Sequence, residues 1–230
     1  MPENENSTNG TQHMESTVPD QKNRTSTALK HYQAIYQDLD PLEIAKRCNM
    51  DYNVETREFS FTLAGLAYQA SWPDFTMPSK GTHPDGNDYE RILMLRYLCE
   101  GQFTPATGRE LHYREIPGAA VYERNFIGRV NMRLLKAFAQ DLDSLQAIME
   151  DDSSFIAHPL PKCDLGYRFD LLDGLPMSLR FWCGDDELPD SVVVLFDSSL
   201  QFAFSAEDFA VAGGILADHL LFLRDQMPQT

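Results

Sequence analysis

Leu175 to Asp208 reads LPMSLRFWCGDDELPDSVVVLFDSSLQFAFSAED, and the reading of these thirty-four residues decides the fold. Aromatic and β-branched runs predict strands at Met177 to Cys183, Val192 to Phe196 and Gln201 to Phe204. The acidic, proline-bearing turn Gly184 to Asp190 separates the first two, and Asp197-Ser198-Ser199 separates the next. Ser205-Ala206-Glu207-Asp208 has the form of a capping box: a hydroxyl accepts a backbone N–H three residues on, and a carboxylate reaches back. It opens a final helix predicted over Phe209 to about Leu223.

Just upstream, Tyr167 to Leu171 and Met177 to Cys183 flank the Asp173-Gly174 turn. Further back, Phe126, Val130, Leu134 and Phe138 recur every four residues, the apolar stripe of the longest helix, with Ile127 and Leu135 beside it. Arg129, Arg133 and Lys136 line another face of that helix. Asp141 is placed to cap a short helix from Leu142 to Met149.

Near the start, helical spacing begins at Thr27 and Leu29, and Asp40-Pro41 restarts a short helix. Phe59, Phe61 and Leu63 alternate with Glu58, Ser60 and Thr62, and Ala67 to Trp72 follows a break at Gly65, so a β-hairpin is expected. Residues 73–87 read as a loop, and Asp88 as the cap of a helix with Ile92, Leu95 and Leu98/Cys99 on its apolar face. Leu111 to Ile116 reads as a short strand closed by Pro117-Gly118. Hairpins outnumber helix-bridged strand pairs. The expected class is therefore α+β, a largely antiparallel sheet of hairpins packed against several helices.

Residues 1–27 are polar and expected to be a disordered tail, leaving one globular domain over 28–226. No apolar run reaches the roughly 18 residues of a membrane span, and the polar start has no signal-peptide core. A cytoplasmic protein is expected. Cys48, Cys99, Cys163 and Cys183 are widely spaced, so reduced, buried thiols are expected rather than disulfides or a zinc or iron–sulfur site.

The formal charge of −16 argues against nucleic acid or anionic membrane as a partner, and leaves a protein partner as the candidate. That charge is uneven. Residues 89–136 carry eight basic and five acidic side chains, whereas residues 141–208 carry fifteen acidic and three basic. Attraction between the two within one domain is favoured over an acidic face turned to a basic partner.

Candidate chemistry is sparse. Asp185, Asp186 and Glu187 in the acidic turn are dense enough for a hard cation but lack the rhythm of a calcium loop, so a solvated connection is favoured. Arg114 offers a clamp for a carboxylate or phosphate and Glu115 a base, on opposite faces of the expected strand, although pairing with the acidic C-terminal half or the Arg-rich helix is the favoured reading. Arg180 and Trp182 share one strand face and form a candidate stacking platform for a flat ligand. Asp197-Ser198-Ser199 lacks a nucleophile elbow and reads as an Asx or Ser turn. No nucleotide loop, metal set or cofactor motif is present, and no catalytic residue is identifiable.

The pattern LP…L.FW.GDDELPDS…LFDSS…..SAED…..G.IL from Leu175 to Leu216 resembles the uncharacterised prokaryotic family of unknown function DUF3786. Ile92 to Gly101, and Tyr113-Arg114-Glu115-Ile116-Pro117-Gly118, resemble that family's helix and its Phe-Arg-Glu-Leu-Pro-Gly motif. The likeness runs over roughly residues 30–223. It implies an accessory or binding protein associated with anaerobic corrinoid and iron–sulfur systems. Some similar proteins carry a cysteine-rich cluster module, for which this tail has no cysteines. The alternative is a hydrolase or transferase with an acidic, metal-assisted site built on Asp185, Glu187 and Glu115.

Overall fold

The computed structural model describes residues 18–82, 88–151, 153 and 155–227. Helices α1 (Val18–Tyr36) and α2 (Pro41–Cys48) lead into strands β1 (Asp51–Asn53), β2 (Glu58–Leu63) and β3 (Leu66–Ser71). Helix α3 (Asp88–Glu100) and strand β4 (Glu110–Leu111) follow. Then come α4 (Glu123–Phe126), a π turn (Ile127–Asn131), α5 (Met132–Phe138) and α6 (Leu142–Met149). Strands β5 (His158–Pro159), β6 (Leu165–Leu172), β7 (Leu175–Trp182) and β8 (Ser191–Asp197) precede helix α7 (Ala206–Gln226). All pairings are antiparallel, in the order β1-β2-β6-β7-β8-β4, with β3 on β2 and β5 on β6. The expected α+β class with an antiparallel sheet is what the chain adopts.

Local chemistry explains the elements. In β2, Phe59, Phe61 and Leu63 are buried while Ser60 faces water, the alternation a half-buried strand requires. Its hairpin closes on Ala64 and Gly65, both at positive φ, and Phe155 presses where a Gly65 side chain would stand. The Asp173-Gly174 hairpin pairs Leu172 with Leu175. Asp40 caps α2 through the Leu42 N–H, and Asp141 caps α6 through the Ser144 N–H. The expected Ser205–Asp208 capping box is formed at both ends, and it starts α7 directly at Ala206, three residues earlier than the Phe209 expected.

Four expectations are corrected. Helix α1 begins at Val18, inside the stretch read as a tail, because extending a helix that is already anchored is far cheaper than starting one; residues 1–17 lie outside the described residues. Gln201 to Phe204 is not a strand. A 3₁₀ turn (Ser198–Phe202) runs into it, with the Asp197 side chain accepting the Ser199 N–H. Helix α3 is buried on more than one face, with Leu93, Met94, Leu95, Tyr97 and Leu98 all excluded from water, since it packs against α1, α2 and α7 together. Only Cys48 is fully buried; Cys99 and Cys163 are half-buried and Cys183 is exposed.

The helix expected to be the longest is shorter than α1 and α7, and it is built in three pieces. Phe126, Val130, Leu134 and Phe138 are all buried, as the spacing predicts. In a straight α-helix a step of four residues drifts by roughly 40°. The π turn at Ile127–Asn131, with more residues per turn, counters that drift and holds the row against β8 and α7. A second row, Asn125, Arg129 and Arg133, runs beside the first. Part of the expected attraction between the basic and acidic stretches is realised at Arg96, which pairs with Asp208 at 2.9 Å and Glu207 at 3.3 Å.

Candidate functional site

The residues singled out by sequence fall into separate groups. Arg180 and Trp182 do share the outer face of β7. There Arg180 pairs with Glu110 at 2.7 Å, Ser178 donates to the same carboxylate at 2.6 Å, and Trp182 donates its indole N–H to the Lys162 carbonyl at 3.0 Å. Beside them Arg168 pairs with Asp197 at 3.3 Å, so the face carries alternating, mutually satisfied charges. The acidic turn is exposed and organised internally: Asp185 accepts the Glu187 and Leu188 N–H groups at 2.9 Å each, and Asp190 accepts the Gly184 N–H. Those two donors hold the Asp185 carboxyl below its ordinary range. Among the described residues no group of three or more His, Cys, Asp or Glu side chains is arranged to hold a metal ion.

Arg114 and Glu115 do not lie on a strand. They occupy a 3₁₀ turn (Tyr113–Glu115) in which Glu115 folds back to accept the His112 N–H at 2.7 Å. The helical turn wins because β4 finds partners only for Glu110 and Leu111, and Pro117 cannot continue a ladder. The alternation of faces expected for Arg114 and Glu115 is thereby lost. Among the described residues, no hydrogen bond or ion pair joins this turn to Arg180, Trp182 or the acidic turn.

A different arrangement carries more. Helix α7 packs against α3 and the α4–α5 segment, and between them lies a cavity of about 720 Å³. Tyr89, Tyr113 and Tyr122 provide aromatic wall, and Asn125, Arg129 and Arg133 project along one side. Glu207 and Asp218 stand on α7. Tyr113 stacks on Phe126 with ring centres 4.3 Å apart and planes 3° apart, and its hydroxyl donates to the Ala206 carbonyl at 3.2 Å. Two adjacent glycines set the width. A side chain on Gly213 would meet the Phe126 ring at 2.7 Å, so its absence lets α7 approach closely. Gly214, one position on, lines the cavity and has nothing within 4 Å of where its side chain would stand.

The charges around this space are largely committed. Glu207 is engaged by Arg96, and Arg133 pairs with Asp218 at 2.6 Å. Arg129 is exposed and makes no hydrogen bond or ion pair among the described residues. Sequence reading noted Arg129 and Arg133 as a helix face but missed the cavity, whose lining comes from four separated stretches. The Gly213-Gly214 pair inside a predicted helix was the available signal, since mid-helix glycine is costly without a packing reason.

Two buried polar groups fix the frame. Behind the cavity, His219 on α7 faces Glu90 on α3 at 2.7 Å and the Ala64 carbonyl at 3.2 Å, so both ring nitrogens meet acceptors. Tyr68 and Thr82 donate to the same Glu90 carboxylate at 3.0 and 2.6 Å. Burial pushes the Glu90 carboxyl up, but the hydrogen bonds from His219, Thr82 and Tyr68 outweigh it and hold it below the ordinary range. Glu90 and His219 adjoin Tyr89 and Asp218 in sequence, so this pair clamps two walls of the cavity together. At the far sheet edge Asp197 accepts from the N–H groups of Thr107, Gly108 and Ser199 and the Thr107 hydroxyl; burial opposes ionisation, but these donors bring it down to about 2.

The fold and this site define an α+β protein with a tyrosine- and arginine-walled cavity between helices. The family model for a domain of unknown function, DUF3786, matches residues 40–219, and the chain belongs to that family. Neither a curated protein nor a solved structure matches it. The resemblance seen in the spaced motifs of the sequence is borne out.

Proposed function

We propose that this is a binding protein whose ligand site is the cavity between α7, α3 and the α4–α5 segment. The observation that carries this reading is the space held open at Gly214 in a cavity that three tyrosines also line. Its volume of about 720 Å³ falls within the range of small-molecule sites, and its walls mix aromatic surface with a few polar groups. A mid-helix glycine that relieves no close contact is hard to explain by packing, but it suits a position that must leave room.

We place the protein in the cytoplasm as an accessory factor: its four cysteines are all free, which suits a reducing compartment. The association with corrinoid and iron–sulfur systems rests on the family resemblance, so corrinoids belong among the ligands assayed. The face of Arg180 and Trp182 with the Asp185–Glu187 turn, and separately the Arg114–Glu115 turn, are candidates for a protein partner rather than a small molecule, because most of their polar contacts are internal.

The test is a ligand-observed NMR screen of small aromatic fragments and corrinoids, repeated on Gly214→Leu. Compounds that bind the natural protein and lose their signal on a folded Gly214→Leu variant support the reading. Hits indifferent to that substitution remove its basis.

A further inference from the structure

We infer that the cavity takes a flat organic ligand bearing an oxyanion, carboxylate or phosphate, which seats on Arg129 with Arg133 beside it. The inference rests on the binding reading above and adds the ligand's chemistry. Both acids that line the space are engaged, Glu207 by Arg96 and Asp218 by Arg133. Arg129 is the cation left over, with no partner among the described residues. A guanidinium has a planar fork of donors that matches two oxygens of a carboxylate or phosphate, and such charge-assisted pairs are the strong ones.

Placement favours the same ligand. Asn125, Arg129 and Arg133 are spaced by four residues and all border the cavity. The π turn keeps that row in line while its neighbours Phe126 and Val130 remain buried. The second cation, Arg133, uses one guanidinium nitrogen on Asp218 at 2.6 Å and is still 41% exposed. Tyr113 is buried in its stack on Phe126, and Tyr122, which borders the same cavity and is 57% exposed, offers a planar group an accessible aromatic surface. A ligand that is flat at one end and anionic at the other satisfies both features.

The experiment is isothermal titration with four probes of one shape: 2-naphthoate, 2-naphthyl phosphate, 2-naphthylmethanol and 2-naphthylmethylamine. One or both anions should bind more tightly than the alcohol, and the amine most weakly. Arg129→Gln should weaken the anions by about tenfold or more, leave the alcohol unchanged, and leave the melting temperature unchanged because Arg129 is exposed. Arg129→Lys should restore only part of the loss, since an ammonium is a point charge. The carboxylate and phosphate arms tell which oxyanion is preferred. If the alcohol or amine binds as well as the anions, or Arg129→Gln leaves anion affinity unchanged, the oxyanion inference fails and the cavity reading stands. If no probe of any charge binds, the cavity reading itself falls, and the inference falls with it.

Discussion

Alanine at Gly213 and alanine at Gly214 should move stability in opposite directions, although the two positions are neighbours on one helix. Each replacement removes the backbone entropy cost of a mid-helix glycine and is worth about 1 kcal/mol in favour of the fold. At Gly214 nothing lies within 4 Å of the new methyl group, so the gain is kept. A protein of this size should then melt about 2–4 °C higher. At Gly213 the methyl would stand 2.7 Å from the Phe126 ring and 3.1 Å from Val130. The ring cannot yield easily, since it stacks on Tyr113 at 4.3 Å and leans on Phe196 at 5.9 Å. Overpacking of a core costs about 1–3 kcal/mol, and a pinned ring puts this site at the upper end, for a net loss of about 2 kcal/mol after the helix gain. Thermal and urea unfolding followed by circular dichroism would separate the two variants by about 3 kcal/mol. Two stabilised variants would show that Phe126 is free to move. A destabilised Gly214→Ala would show that the space beside Gly214 is filled in the folded protein.

Asp197, held at about 2 by its backbone and hydroxyl donors, contributes about 2 kcal/mol above pH 4, and that stability is lost as pH falls from about 4 through about 2. Asp197→Asn should therefore be less stable at pH 7 and nearly as stable as the natural protein at pH 2, measured by urea unfolding at each pH. His219→Leu removes the partner of a buried carboxylate and should cost about 3–5 kcal/mol, with much of the loss recovered when Glu90 is also replaced by Leu; a double-mutant cycle without coupling would contradict the clamp. Burial pushes the Cys48 and Cys99 thiols up to about 11 and 12, so in the native protein iodoacetamide should modify exposed Cys183 first and these two only on unfolding, as read by mass spectrometry.

Much of the fold is legible in the sequence because its signals are local. The capping box at Ser205–Asp208, the alternation of Phe59, Phe61 and Leu63, and the four-residue row from Phe126 to Phe138 each act within a few residues, and each forms as expected. Tyr113–Glu115 and Ser198–Phe202 carry strand-like residues, yet both fold as 3₁₀ turns. Their outcome depends on a partner strand that β4 loses after Leu111 and on the Asp197 side chain turning the backbone at the end of β8. The cavity was not legible for a related reason. Tyr89, Tyr113 and Tyr122 look like ordinary core aromatics until tertiary packing brings them to the cavity that Gly214 also lines. Arg180 and Trp182 stand out in sequence because they alternate on one strand, but Glu110, seventy positions away, occupies the arginine.

The most direct measurement is a crystal structure of the protein soaked with the tightest-binding fragment from the screen. Density between Tyr122, Arg129 and Gly214, with the Arg133–Asp218 pair intact or opened toward the ligand, is the predicted result. Density against Arg180 and Trp182 on the outer sheet face, with the inter-helical cavity unchanged, would contradict the assignment of the site.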